Sequence, residues 1–176
     1  MAQGNRKKSL NSARPLVGIV MGSDSDLSIM QEAAKVLGAF KIPYEITISS
    51  AHRSPDLTTA YARNAARRGL ELIIAGAGGA AHLAGVIASK TILPVIGVPM
   101  DSSSLKGIDA LLSIVQMPSG VPVATMALGK TGAKNAALCA VQILSLKYPA
   151  LKKKLHSFKK RLARETVQKA RRLRTQ

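Results

Sequence analysis

Short apolar runs recur along this chain, and each is followed by a stretch with helical spacing. That alternation constrains the fold more than any other feature. Runs at 15–21, 43–48, 71–75, 94–98 and 121–127 have strand length and end at Gly, Pro or small polar residues. Where both faces of a run are apolar, as in 15–21, it reads as a strand buried on both sides of a parallel sheet. The stretches between them, 26–40, 55–68, 80–89, 104–115 and 131–146, read as helices, and 149 to about 173 as another. In the first of these, Leu27, Met30, Ala34 and Leu37 fall on one face. Strictly alternating strand and helix predicts α/β class, with a parallel sheet carrying helices on both faces. Right-handed crossovers make it doubly wound and flavodoxin-like.

The net charge of +17 suggests a polyanion binder until it is divided along the sequence. Residues 147–176 carry twelve basic residues against one acid, Glu165, and residues 1–14 carry four more. The body between them holds ten basic and eight acidic residues and is close to neutral. The expected organisation is a disordered basic arm over 1–14, one catalytic domain over 15–146, and a basic helical extension over 147–176. In that extension Leu151, Leu155, Phe158 and Leu162 share a helical face, so docking on the same or a neighbouring subunit is the leading reading. Nucleic-acid binding by the tail is the rival and is not favoured. No apolar run approaches the roughly 20 residues of a membrane span, and no export leader is evident, so the expected location is the cytoplasm. With 3% aromatics and no Trp, the core must be built from Ala, Val, Ile and Leu. The segment 132–146 is apolar almost all round. It is expected to lie centrally or between subunits, and an oligomer is inferred from it.

Three loops carry the chemistry, each directly after a predicted strand: Gly22-Ser-Asp-Ser-Asp26, Ser49-Ser-Ala-His-Arg-Ser-Pro55 and Gly76-Ala-Gly-Gly-Ala-Ala-His-Leu83. In an open parallel sheet such loops line the ligand crevice, so Ser23, Asp26, His52, Arg53 and His82 converge on one edge. Asp24 and Ser25 read first as helix caps. Gly22 and Ser23 offer donors for a phosphate at a helix N-terminus, and Asp26 suits ribose hydroxyls. Arg53 presents a planar fork of donors for an anion. His52 has the side chain best suited to take and return a proton near neutral pH. Gly76, Gly78 and Gly79 permit close backbone approach to a ligand. The third loop lacks the dinucleotide fingerprint, and the first is not a Walker loop. His82 is given a supporting role.

Other features are weaker. Cys139 lies in an apolar helix and reads as packing. His52, His82 and His156 have no metal-ligand spacing, so no metal is expected. The turn Gln116-Met-Pro-Ser-Gly-Val-Pro122 is expected to border the site. Scarce aromatics count against a flavin-type carrier.

Taken together, the three loops, Pro94-Val-Ile-Gly-Val-Pro99, Val115-Gln-Met-Pro-Ser-Gly-Val-Pro-Val-Ala-Thr125 and the segment from Gly129 to Leu138 resemble the signature segments of the N5-carboxyaminoimidazole ribonucleotide mutases. The resemblance spans about 17–146. It implies a three-layer αβα sandwich, a homo-octamer and a cofactor-free isomerase of purine biosynthesis acting on a small ribonucleotide. It implies that Ser23, Asp26 and Arg53 bind the ribonucleotide and that His52 is the general acid/base. Ser50, Ala51, Gly78 and His82 would then line the base and carboxylate pocket. Many relatives carry Trp where this chain has Leu27, a position that concerns packing. The basic extension is not part of the signature. Two other functions compete: direct carboxylation of aminoimidazole ribonucleotide by carbon dioxide, and a non-enzymatic nucleotide-binding module with an RNA-binding tail. Direct carboxylases tend to carry Lys where Arg53 stands, and the His52-Arg53 pair argues against the module.

Overall fold

A computed structural model describes residues 14–174. The expected arm thus lies outside the described residues except for Arg14. Five strands, β1 (Val17–Met21), β2 (Tyr44–Ile48), β3 (Leu72–Ala77), β4 (Val95–Pro99) and β5 (Ala124–Thr125), form one sheet in the order β2-β1-β3-β4-β5. Every pairing is parallel. This is the flavodoxin-like order, with its switch point between β1 and β3.

Burial follows from position in the sheet. The central strands β1, β3 and β4 are buried along their whole length, whereas β2 at the edge alternates between exposed and half-buried residues. Side chains of a strand alternate faces, so Ile19, Leu72, Ile74, Ile96 and Val98 join one core while Val20, Ile73, Ala75 and Val95 join the other. The first core is closed by α1 (Leu27–Ala39), α5 (Gly129–Ser145) and the start of α6 (Pro149–Arg174). The second is closed by α2 (Pro55–Arg68), α3 (Leu83–Ala88) and α4 (Ile108–Val115).

Three predicted elements differ most in extent, the others by at most one or two residues at an end. The helix expected from 104 begins at Ile108, because Gly107 holds a left-handed backbone (φ +87°) that ends the preceding turn. The helix expected over 80–89 is Leu83–Ala88, since Gly79 and its neighbours turn tightly first. The strand expected over 121–127 pairs only through Ala124 and Thr125, at the edge of the sheet, and Pro122 before them has no N–H to give a ladder. Of the face expected to be apolar and buried on α1, Met30, Ala34 and Leu37 are buried but Leu27 is 38% exposed, while Ala33 is buried as well.

The apolar character of α5 is accounted for within the chain. Gly132, Ala133, Ala136, Ala137, Ala140, Val141 and Leu144 are buried, and α5 packs against α1, α6 and β4. A small residue is required where α5 meets the chain that leads into it: a methyl group at Gly132 would stand 1.6 Å from the Ala127 carbonyl oxygen. The inference of an oligomer from α5 therefore loses its basis. Exposed apolar residues form rows elsewhere, among them Tyr44, Ile46 and Ile48 of β2 and Ile108, Leu112 and Val115 of α4.

The first turns of α6 are held to the body. Leu151 is buried, Leu155 and Phe158 pack on the first core, and the Phe158 ring lies 5.8 Å from that of Phe40. Lys154 Nζ donates to the Phe40 carbonyl (2.5 Å), satisfying an oxygen at the end of α1. Just before α6, Tyr148 Oη donates to Glu71 (2.7 Å), and burial, reinforced by that carboxylate, pushes the phenol up to about 12. From Lys159 to Arg174 the helix is exposed on all sides in this chain.

Candidate active site

The carboxyl ends of β1, β2 and β3 open into a cleft of about 340 Å³. It is lined by all eight residues singled out from the sequence: Ser23, Asp26, Ser50, Ala51, His52, Arg53, Gly78 and His82. They come together because parallel strands deliver every strand-to-helix loop to the same edge.

The first loop is a short 3₁₀ turn, Asp24–Asp26, leading directly into α1. Ser23 caps it by accepting from the Ser25 amide, and Asp24 Oδ1 accepts from the same amide (3.1 Å). Asp24 thus serves the turn, and Asp26 is the acid that faces the cleft. Asp26 is only 5% exposed. Burial raises its pKa from the ordinary carboxylate value. Hydrogen bonds from the Ser23 backbone and the Ser25 side chain oppose that rise, and the nearby Asp24 charge adds to it.

The second loop is a compact turn knotted by serines. Ser54 N and Oγ both donate to the Ser50 carbonyl (2.9 and 3.1 Å), and Ser50 N donates to Ser54 Oγ (3.1 Å). Beneath it the buried pair Ser49 and Thr58 share a hydroxyl hydrogen bond of 2.7 Å. Ser50 Oγ accepts from the Arg53 amide (3.1 Å) and, more loosely, from Arg53 Nε (3.4 Å). An Arg53 terminal nitrogen donates to the Gly22 carbonyl (2.9 Å), so the guanidinium bridges the first two loops. Part of its fork is thereby used for positioning, and the rest remains for an anion.

The third loop depends on Gly79, whose φ of +59° disfavours residues with a side chain. Past it, His82 stands at the start of α3, and His52 Nε2 lies 2.8 Å from His82 Nδ1. The ring centroids are 4.9 Å apart and the planes nearly perpendicular, at 86°. This contact between residues thirty positions apart is not visible in the sequence.

The expected bordering turn at 116–122 does not line the cleft; Met117 instead packs over Gly85 of α3. Ser102 does line it and was missed. The signal was available, because Ser102 follows β4 at the same sheet edge, but no distinctive motif marks that loop. Among the described residues no group of three or more His, Cys, Asp or Glu is arranged to hold a metal ion. No described helix is long and apolar enough to cross a membrane.

Comparison with known proteins adds independent weight. Residues 16–165 match the AIR carboxylase family. A Pyrococcus horikoshii protein named N5-carboxyaminoimidazole ribonucleotide mutase is 61% identical over 165 residues, covering 94% of this chain and 92% of the relative. A Thermotoga maritima protein of the same name is 59% identical, covering 90% and 92%. The Schizosaccharomyces pombe phosphoribosylaminoimidazole carboxylase is 56% identical over 89% of this chain, which corresponds to 28% of that longer protein. Among solved structures, Treponema denticola PurE superposes with a TM-score of 0.78 at 32% identity, covering 88% of this chain and 96% of that one.

Proposed function

The chain belongs to the AIR carboxylase family, and on that premise we propose that its cleft converts N5-carboxyaminoimidazole ribonucleotide to 4-carboxy-5-aminoimidazole ribonucleotide. The enzyme is an isomerase of purine biosynthesis. The observation that carries the assignment of roles is the convergence of His52, Arg53, Ser23, Asp26 and the 76–82 loop on one cleft.

The substrate phosphate is proposed to lie against Ser23 and the free donors of Arg53, with Asp26 accepting from ribose hydroxyls. A buried carboxylate has few water partners and gains most from such hydroxyl donors. Ser50, Ala51, Gly78 and His82 surround the base. The carbamate carbon–nitrogen bond breaks, carbon dioxide leaves, and His52 supplies a proton to the exocyclic nitrogen. Carbon dioxide stays against the 76–82 loop while the ring carbon attacks it. His52 then takes the proton from that carbon, which restores the aromatic ring and resets the imidazole. Holding both fragments in one cleft gives the advantage of proximity, and keeping water out limits escape of the intermediate. No step consumes ATP.

We further propose a homo-oligomer, an octamer as the family resemblance implies. The apolar rows on β2 and α4 are the surfaces most in need of cover, since contiguous exposed apolar residues mark interaction sites. Residues 15–146 are read as the catalytic unit and 147–176 as an extension docked through Leu151 to Phe158. The cytoplasm is the proposed compartment, where nucleotide synthesis finds its substrates.

The test is turnover by purified protein without ATP, on N5-carboxyaminoimidazole ribonucleotide and separately on aminoimidazole ribonucleotide with carbon dioxide. Conversion of the first, far faster than of the second, is the expected result. The reverse preference makes the chain a direct carboxylase, and binding without turnover of either makes it a nucleotide-binding module.

A further inference from the structure

The contact between His52 and His82 has a consequence for how one imidazole serves as acid in one step and base in the next. Each ring is anchored by its own backbone turn. His52 sits in the serine-bound loop, where Ser54 N and Arg53 N are tied to Ser50. His82 N donates to the Ala80 carbonyl (2.7 Å), and the His82 carbonyl accepts from Val86 N (2.9 Å) at the start of α3. The 2.8 Å separation of His52 Nε2 and His82 Nδ1 therefore joins side chains carried on two anchored turns. Among the described residues no other hydrogen bond to either ring is recorded, which leaves His52 Nδ1 for the substrate and His82 Nε2 as the outer atom of the pair.

Two nitrogens at this distance share one proton, and this ties the tautomer of one ring to that of the other. When His52 Nε2 carries the proton and donates to His82 Nδ1, His82 carries its own proton on Nε2, and His52 Nδ1 is bare. That is a base aimed at the substrate. Adding one proton at His52 Nδ1 gives a pair with three protons and a single positive charge, which the short bond allows both rings to share. That is the acid.

We infer that His82 is a positioning residue for the reaction, holding His52 in the tautomer whose Nδ1 exchanges the proton with substrate and sharing the charge of its imidazolium. The inference rests on the mutase reading above. The protons balance. The three-proton pair gives one from His52 Nδ1 to the exocyclic nitrogen as carbon dioxide departs and becomes the neutral two-proton pair. His52 Nδ1 then receives the proton released by the ring carbon, and the pair returns to its first state. His82 Nε2 keeps its proton throughout. A histidine here does for His52 what a carboxylate does for the imidazole of a hydrolase triad, fixing tautomer and orientation, but as a neutral acceptor.

The experiment compares His82→Leu and His82→Asn with the unmodified enzyme. Leu abolishes the bond, whereas the Asn amide oxygen stands near the position of Nδ1 and can accept from His52 Nε2–H. Three readouts are taken: single-turnover rate with its pH profile, affinity for 4-carboxy-5-aminoimidazole ribonucleotide, and ring ¹⁵N–¹H correlations of labelled histidine. The chain has only three histidines, so assignment by substitution is direct. His82→Leu is expected to lose about tenfold to a hundredfold in rate, the scale seen when the hydrogen-bond partner of a metal-bound imidazole is removed, with a clearly smaller loss of affinity. The acidic limb of its pH profile moves to lower pH, because the imidazolium of His52 loses its acceptor. His82→Asn recovers most of the rate. In the nuclear magnetic resonance spectra, His52 of the unmodified protein carries its proton on Nε2, and His82→Leu shows a mixture of tautomers.

An unchanged rate and pH profile in His82→Leu overturns the inference. So does a loss confined to affinity, which would leave His82 a substrate contact and nothing more. Unmodified protein that turns over no ribonucleotide overturns the mutase reading instead. The tautomer of His52 is read without turnover, so the two failures are told apart.

Discussion

The residues of the cleft and those of the α1–α5–α6 face are constrained in opposite ways. Along α5, Ala133, Ala136, Ala137 and Ala140 have no exposed surface and touch only protein. Any change of size or polarity there is felt by the fold. In the cleft, His52, Arg53 and His82 are exposed, and their side-chain hydrogen bonds run to one another, to the Ser50 hydroxyl and to loop backbone rather than into either core. Such residues are held by few bonds each, so substitutions cost little stability and much chemistry. Asp26 stands between the two cases: it is buried like a core residue and charged like a site residue.

The contrast is broken most forcefully from the α5 side. Ala137→Arg places a guanidinium where the side chain is fully buried, and both unpaired buried charge and overpacking are costly. A loss of about 4 kcal/mol or more is expected, a large part of the roughly 5–15 kcal/mol that holds an ordinary domain together. Urea denaturation followed by circular dichroism measures it. A variant that keeps its denaturation midpoint and merely dissociates into smaller assemblies would return α5 to an intersubunit role.

From the cleft side the largest effect belongs to His52. His52→Asn keeps some hydrogen bonding but cannot shuttle a proton, so turnover should fall by at least about 100-fold. Stability should stay within about 0.5 kcal/mol, as for exposed substitutions generally. Ribonucleotide binding should survive. If the variant binds normally and still reacts at close to the normal rate, His52 is not the proton shuttle, and His82 becomes the next candidate.

Arg53→Ala should show the complementary defect. It removes a charge-assisted contact to the phosphate and the bridge to the Gly22 carbonyl. Affinity should fall by about tenfold or more, the usual scale of a hydrogen bond to a charged group, with a smaller change in single-turnover rate at saturation. Isothermal titration beside rapid-quench kinetics separates the two. A rate defect equal to that of His52→Asn, with affinity intact, would assign Arg53 to the chemical step.

The smallest effect sharpens the comparison at its boundary. The folded-state pKa of Asp26 is raised, so ionising it costs folding free energy. Below the unfolded carboxylate value that cost is absent. It grows as pH rises through the folded value and is complete above it. Asp26→Asn should therefore match the unmodified protein in acid and become the more stable of the two as pH rises, while ligand affinity falls. Urea midpoints from about pH 3 to pH 8 test this. No stability advantage at the neutral end would mean that partners within the fold already compensate the buried charge.

What could be read from residues alone was whatever depends on local order along the chain. Alternating apolar runs and helical stretches determine an α/β sheet with helices on both faces, because side-chain period and strand length are local properties. Parallel topology then sends Ser23, Asp26, His52, Arg53 and His82 to one edge, where all five line the cleft. Other features depended on distances between segments far apart in sequence. The helix α5 looked all-apolar for want of any view of its neighbours, and its packing on α1, β4 and α6 shows that this chain itself supplies the cover. Ser102 carries no motif and enters the cleft only because β4 ends beside β3. The 2.8 Å contact of His52 with His82 exists because two loops thirty residues apart are anchored independently and meet. Hydrogen bonds act over about 3 Å, and only the packed sheet, which sets the positions of its loops to that tolerance, decides which side chains lie within reach of each other.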